Sequence, residues 1–154
     1  DAEELFLRFI RVYHEVLREA DESAVKESGL PDVTINQFFY LQKIEEQGTT
    51  TLTALSTSLG VTKPTATAVV TKLVKDGFII RERSREDQRI FHLTLSATGK
   101  GIIRLKQQTY RNFMKLVSSR VSPDELEVIT EGFRLITGCF PEYEQKPVPN
   151  KTED

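Results

Sequence analysis

The chain has 154 residues, of which 38% are hydrophobic and 29% charged, and its formal net charge is −2. This length and composition predict a folded protein with one hydrophobic core and at most a second small one. No segment approaches the roughly 20 apolar residues of a membrane helix, and the N-terminal DAEELFLRF lacks the features of a secretory signal, so we expect a cytoplasmic location. One cysteine, Cys139, and two histidines, His14 and His92, exclude an intrachain disulfide and argue against a metal cofactor.

The first 50 residues predict two helices. Apolar residues recur at three- and four-residue spacing from about 2 to 25, which predicts a long first helix closed by Gly29 and Pro31. Thr34 and Gln37 match a capping box and predict the start of a second helix, which Gly48 ends. The predicted buried face of this second helix consists of Ile35, Phe38, Phe39, Leu41 and Ile44.

Two short helices with a tight turn between them follow. Thr51 is predicted to cap the first helix and Gly60 to end it. Thr62 is predicted to cap the second helix, which tolerates Pro64 in its first turn because the missing N–H would have no helical partner there. Two helices joined by a glycine-containing turn are the elements of a helix-turn-helix.

The apolar pattern then changes to a period of two. Residues 78–83 and 90–95 alternate in this way, which predicts two antiparallel strands, and the polar residues between them predict a hairpin. Arg81, Arg83, Arg85 and Arg89 therefore lie on a hairpin, outside any core.

The C-terminal part returns to helical spacing. Ser96 is predicted to cap a fifth helix that runs to about residue 117, and Ser122 with Glu125 forms a second capping box at the start of a sixth helix. The proline-rich, polar residues 141–154 predict a flexible tail.

Positive charge is concentrated around the predicted hairpin. Residues 62–92 contain seven Lys and Arg against four acids, whereas the rest of the chain contains 14 against 19. This asymmetry indicates a surface that binds phosphates. Alternatively, the charges are only a solvated hairpin edge that prevents pairing with other strands. The adjacent helix-turn-helix favours the nucleic-acid interpretation.

Four segments within residues 34–101 follow a family pattern: TINQF, LTALSTSLGVTKPTATAVVTKLVKDGFIIRE, DQR and LTLSATGKG. Together they resemble the MarR family of winged helix-turn-helix transcription regulators. The resemblance implies a mainly α fold with a small β-wing. The implied regions are an N-terminal dimerisation helix (1–30), a DNA-binding domain (34–96) with its recognition helix at about 62–75 and its wing at about 78–95, and C-terminal dimerisation helices (97–140).

The resemblance also implies how DNA would be bound. The recognition helix would enter the major groove with its N-terminal residues nearest the bases. Arg89 at the wing tip would enter the minor groove, and we expect Asp87 to hold its guanidinium by an ion pair. Alternatively, the threonines only cap or are solvated, and Asp87 and Arg89 form a surface ion pair without function. The predicted DNA-binding residues are Thr62, Lys63, Thr65, Thr67, Lys72, Arg81, Arg83, Arg85, Asp87 and Arg89.

The long terminal helices are expected to form a homodimer, because a helix-turn-helix that reads two successive major grooves must occur twice. The alternative is a monomeric helical core. The predicted dimerisation residues are Phe6, Phe9, Phe113, Leu126, Ile129, Phe133 and Ile136.

Family members commonly respond to small aromatic or phenolic ligands. Candidate ligand-binding residues here are Tyr13, His14, Phe39, Tyr40 and Tyr110, with ordinary packing as the alternative for each. Cys139 is expected to be inert.

The predicted function is a transcriptional regulator that binds double-stranded DNA, a repressor of a pseudo-palindromic operator. The chain lacks a phosphate-binding glycine loop, a nucleophile elbow and a catalytic cluster, so an enzyme is not expected. The alternative is a winged-helix module that binds proteins and not DNA.

Overall fold

The structure, a computed structural model, describes residues 1–141. The predicted tail therefore lies outside the described residues, except for residue 141. The elements in chain order are α1 (Ala2–Ser28), α2 (Ile35–Gln47), α3 (Leu52–Leu59), α4 (Lys63–Lys75), β1 (Ile79–Arg83), β2 (Phe91–Leu95), α5 (Ala97–Ser118) and α6 (Pro123–Gly138). This order confirms a mainly α fold with a small two-stranded wing and long terminal helices. Within residues 1–141, no helix is long and apolar enough to cross a lipid bilayer.

Local side-chain hydrogen bonds set the ends of the helices where the sequence predicts them. The Thr34 hydroxyl accepts from the Gln37 backbone N–H at 3.2 Å, and the Gln37 side chain accepts from the Thr34 N–H at 2.9 Å. Ser122 and Glu125 form the same capping box at the start of α6. These caps satisfy N–H groups that have no partner within the helix, so each helix begins at a defined residue.

The described chain forms two compact units. The first, Asp1–Thr109, contains α1 to α4, the wing and the first part of α5. The second begins at Tyr110 and contains the rest of α5 and α6. The core of the first unit consists largely of aliphatic side chains, among them Leu41, Ile44, Leu55, Leu73, Leu93, Ile102 and Ile103.

Two sets of hydrogen bonds fix the wing relative to the helix-turn-helix. Thr50, in the connection between α2 and α3, forms a β-bridge with Leu93, in which Leu93 N–H donates to the Thr50 carbonyl at 2.7 Å and Thr50 N–H donates to the Leu93 carbonyl at 3.1 Å. At the base of the wing, the Ser96 hydroxyl donates to the Gly77 carbonyl at 2.6 Å, and the Ser96 N–H donates to the Phe78 carbonyl at 3.0 Å. The hairpin is therefore hydrogen-bonded through β2 to the segment that precedes α3, and at its base to the segment that follows α4.

The prediction of which residues of α2 are buried is partly wrong. Ile35 and Phe39 are 62% and 51% exposed, whereas Tyr40 is only 2% exposed. Phe38, Leu41 and Ile44 are buried as predicted and lie on the side of the helix that faces the core. Ile35 and Phe39 lie on the opposite side, since each residue advances the helix by about 100°. Apolar residues occur on both sides of α2, so periodicity alone does not identify the buried side.

Candidate nucleic-acid interface

The N-terminus of α4 presents a group of exposed hydroxyls. The Thr62 hydroxyl caps the helix by accepting from the Thr65 N–H at 3.3 Å, and the two side-chain hydroxyls lie 2.8 Å apart. The Thr67 hydroxyl donates to the Lys63 carbonyl at 2.8 Å. These bonds hold the hydroxyls in defined positions, and each oxygen keeps capacity for a further hydrogen bond. Thr62 therefore has the capping role, while its exposed position also leaves it accessible.

Lys72 differs from the other predicted residues of α4 because it has an acidic partner. Its Nζ lies 3.0 Å from Asp76 Oδ2, one helical turn further on. This pair partly neutralises the C-terminal end of α4. The N-terminal end of α4, where Lys63 is exposed, is the end that would face DNA.

The wing tip, residues 84–90, is closed by a network around Ser84. The Ser84 N–H donates to the Ile90 carbonyl at 2.9 Å, so the two residues form the last pair before the tip. The Ser84 hydroxyl, nearly buried, accepts from the backbone N–H groups of Glu86 and Asp87 at 3.2 and 3.4 Å. One serine thus determines the path of the backbone on both sides of the tip. This role of Ser84 was not predicted from the sequence.

The predicted ion pair between Asp87 and the Arg89 guanidinium is wrong. Asp87 Oδ1 instead accepts from the Arg89 backbone N–H at 2.9 Å. A short aspartate side chain readily reaches the N–H two residues later, which is the usual hydrogen bond of an Asx turn. Asp87 therefore holds the backbone of the tip, and the Arg89 side chain is directed by that backbone and not by a carboxylate.

Two arginines of β1 contact an aromatic ring of β2. The Cζ atoms of Arg81 and Arg83 lie 4.0 and 5.3 Å from the centroid of the Phe91 ring. Arg83 pairs with Phe91 across the sheet and Arg81 pairs with Leu93, so all these side chains lie on one face. The role of Phe91 was not predicted from the sequence, although the strand register places it opposite Arg83.

A groove of about 550 Å³ separates α3 and α4 from the wing. Its lining includes Lys63, Thr67, Thr71, Arg81, Arg89 and Phe91. Four of the predicted DNA-binding residues therefore come together in the groove: Lys63, Thr67, Arg81 and Arg89. The other six lie outside its lining: Thr62, Thr65, Lys72, Arg83, Arg85 and Asp87.

Most of the positive charges of this region form no ion pair within the described residues. Lys72 is paired with Asp76, but among the residues that the structure describes no ion pair involves Lys63 or any of the four wing arginines: Arg81, Arg83, Arg85 and Arg89. All five side chains are exposed. The groove and the wing tip therefore form a cationic surface.

The predicted ligand-binding residues lie in different environments. Tyr40 is buried, which raises the pKa of its hydroxyl and fits the packing alternative. Phe39 is exposed, and Tyr13 stacks on Phe9 with ring centroids 5.7 Å apart. His14 is exposed beside Tyr13. Tyr110 belongs to the second unit, where it lines an open cavity of about 540 Å³ with Arg111, Met114, Lys115 and Ser118.

The predicted dimerisation residues are mostly accessible in the single chain. Neither α1 nor α6, both fully described, contains a buried residue. Phe6 is 56% exposed and Ile136 is 59% exposed, and Phe9 and Phe133 are also exposed. The remaining three, Phe113, Leu126 and Ile129, are partly buried.

Comparison with known proteins identifies related sequences and folds. The model of the MarR family matches residues 33–91. YfiV of Bacillus subtilis, named an HTH-type transcriptional regulator, is 25% identical over 126 residues, which cover 82% of this chain and 79% of YfiV. YpoP of the same organism, also named an HTH-type transcriptional regulator, is 30% identical over 60% of this chain and 62% of its own length, so the match spans less than two thirds of YpoP. The structure of Streptococcus pneumoniae FabT in complex with DNA has a TM-score of 0.70 at 24% identity and covers 92% of this chain and 99% of FabT.

Proposed function

We propose that the chain, whose residues 33–91 match the MarR family model, is a transcriptional regulator of that family and binds double-stranded DNA as a homodimer. In this proposal α4 enters the major groove and the wing tip reaches the adjacent minor groove. The predicted regions, 1–30 and 97–140 for dimerisation and 34–96 for DNA binding, then have separate roles. DNA binding requires access to the chromosome, so a cytoplasmic location is part of the proposal.

The observation that carries the proposal is the convergence of Lys63, Arg81 and Arg89 on one groove, where none of the three forms an ion pair within residues 1–141. Lysine and arginine side chains of this kind can neutralise DNA phosphates, and the release of the cations that are condensed on the duplex favours binding. The exposed hydroxyls of Thr65 and Thr67 lie on the same helix as Lys63, where they can donate to phosphates or base edges. FabT, which has a similar fold, was solved in complex with DNA, and this supports DNA as the partner of this chain.

The homodimer is supported by the apolar side chains that α1 and α6 expose. Phe6 on α1 and Ile136 on α6 are each more than half exposed, and Leu5, Leu7, Val128 and Leu135 are at least as exposed. Exposed apolar patches on a folded chain commonly mark an interface with another chain. A two-fold dimer would place two copies of α4 about 34 Å apart, which matches one turn of the DNA helix.

The symmetry of such a dimer implies a pseudo-palindromic operator. We propose that the protein represses transcription by occupying this operator and that a small aromatic or phenolic effector releases it. The exposed ring of Phe39 and the stacked rings of Phe9 and Tyr13 are aromatic surfaces suited to such a ligand.

Selection from a random duplex library, with the purified full chain, tests the proposal. We expect the enriched sequences to contain two inverted half-sites with centres about 10 base pairs apart. Sedimentation of the free protein should give a dimer. If the protein binds no duplex at about 50 mM salt, where phosphate contacts are strong, the proposal is refuted and the protein-interaction module becomes the better interpretation.

A further inference from the structure

The wing separates its charges onto two faces. Arg81 and Arg83 share one face with Phe91, whereas Glu82, which pairs with His92, lies on the other face because side chains alternate along a strand. The face that carries the arginines continues into the groove through Arg81 and Phe91. The acid closest to both arginines in sequence is therefore turned away from them.

Two guanidinium groups, those of Arg81 and Arg83, lie over a single aromatic ring. Like charges repel, and both arginines lack an ion pair within residues 1–141. The Phe91 ring attracts both cations through the negative charge density of its face. Because a guanidinium is planar, stacking occupies its face and leaves the N–H groups at its edge able to donate.

We propose that Phe91 is a positioning residue for DNA binding, which holds the Arg81 guanidinium in the groove so that a phosphate binds between the wing and α4. The inference rests on the proposed function and deepens it. Lys63 and Thr67 line the groove on the side of α4, and Arg81 lines it on the side of the wing. Arg83, further from the ring centroid, adds a second cation outside the groove lining.

The physical advantage is preorganisation. A flexible arginine loses side-chain entropy when DNA fixes it, whereas an arginine already stacked on a ring loses less. Asp87 does not supply this effect for Arg89, since its carboxylate binds a backbone N–H. The aromatic ring of β2, and not the acid of the tip, therefore orders a cationic side chain in the wing.

The first test compares Phe91→Leu, which removes the aromatic face but keeps an apolar side chain, with Phe91→Tyr, which keeps the face. Ile80→Val is a matched control, because Ile80 is exposed on the opposite face of the wing. Affinity is measured by fluorescence anisotropy with a mixed-sequence duplex of about 30 base pairs, long enough for two half-sites. We expect Phe91→Leu to weaken binding about fivefold for each wing that engages DNA. Phe91→Tyr and Ile80→Val should remain within about twofold of the wild type.

A double-mutant cycle distinguishes positioning from a general effect on the fold. Phe91→Leu should cause no further loss of affinity in a chain that already carries Arg81→Ala and Arg83→Ala, because the ring then has no cation to hold. It should also leave the salt dependence of binding unchanged, since it removes no charge, whereas Arg81→Ala should make that dependence weaker.

Arg81→Lys provides a second variant, which leaves the Phe91 ring itself in place. It keeps the positive charge but removes the planar group that stacks, so we expect a loss similar to that of Phe91→Leu. Wild-type affinity of either Phe91→Leu or Arg81→Lys, or an equal effect of Phe91→Leu with and without the two arginines, would overturn the inference. Failure of the wild-type protein to bind any duplex would refute the proposed function itself, which is a different result.

Discussion

The contact between the start of α5 and the base of the wing leads to a sharp prediction for Gly99→Ala. Gly99 is buried in α5, and a Cβ atom at this position would lie 2.3 Å from the carbonyl oxygen of Phe78. It would also lie 3.2 Å from the carbonyl carbon of the same residue. Backbone atoms cannot rotate away as a side chain can, so α5 or the segment that leads into β1 must move.

The size of this destabilisation follows from one favourable effect and two unfavourable effects of the added methyl group. Alanine is favoured over glycine in a helix by about 1 kcal/mol. Forcing an extra methyl group into a packed site costs about 1–3 kcal/mol. The Phe78 carbonyl also accepts from the Ser96 N–H at 3.0 Å, and weakening that bond costs about 0.5–1.5 kcal/mol. We therefore expect Gly99→Ala to lower the free energy of unfolding by about 0.5–3.5 kcal/mol.

Urea denaturation at matched protein concentration measures this change, with Gly132→Ala as the control. Gly132 lies within α6, and a Cβ atom there would meet no atom within 4 Å. The control should therefore gain up to about 1 kcal/mol from helix propensity alone. If Gly99→Ala proves as stable as the wild type, or more stable, the close packing of α5 against Phe78 is refuted.

Three further predictions concern charged groups. Arg89→Ala should weaken binding to a selected operator by more than about 1 kcal/mol while sedimentation still shows the dimer; unchanged affinity would remove the wing tip from DNA recognition. Asp87→Asn keeps the oxygen that accepts from the Arg89 N–H and removes a negative charge, so duplex affinity at low salt should be equal or higher, whereas Asp87→Ala should lower it; an equal loss in both variants would favour the ion pair. Burial raises the pKa of Glu45 above its ordinary value of 4.5, against the opposing effect of Arg104 and Lys100. The folded state therefore binds this proton more tightly than the unfolded state, and the free energy of unfolding should fall as pH rises past about 4.5. Denaturation of Glu45→Gln should show a weaker pH dependence in this range, and a dependence identical to that of the wild type would contradict the prediction.

The features that the sequence predicted well depend on residues close together in the chain. Thr34 with Gln37 and Ser122 with Glu125 form capping boxes over three positions, so the residue types alone determine the hydrogen bonds. The change to a two-residue period likewise located both strands. Local chemistry was sufficient in these cases because no distant residue competes for the same groups.

The features that the sequence did not predict depend on competition or on distant packing. Asp87 had two possible donors in Arg89, the guanidinium and the backbone N–H, and the shorter path to the backbone N–H prevails. The stacking of Arg81 on Phe91 requires the strand register. The groove also requires the bridge between Thr50 and Leu93, which places the wing beside the helix-turn-helix.

The central claim is that the groove between α4 and the wing binds DNA phosphates, and the salt dependence of duplex affinity tests it most directly. The logarithm of the association constant is measured against the logarithm of salt concentration for the wild type and for a variant with Arg81→Ala and Arg89→Ala. We expect a steep negative slope for the wild type and a slope shallower by about 0.9 for each phosphate contact that the variant loses. Equal slopes for the two proteins would contradict the claim.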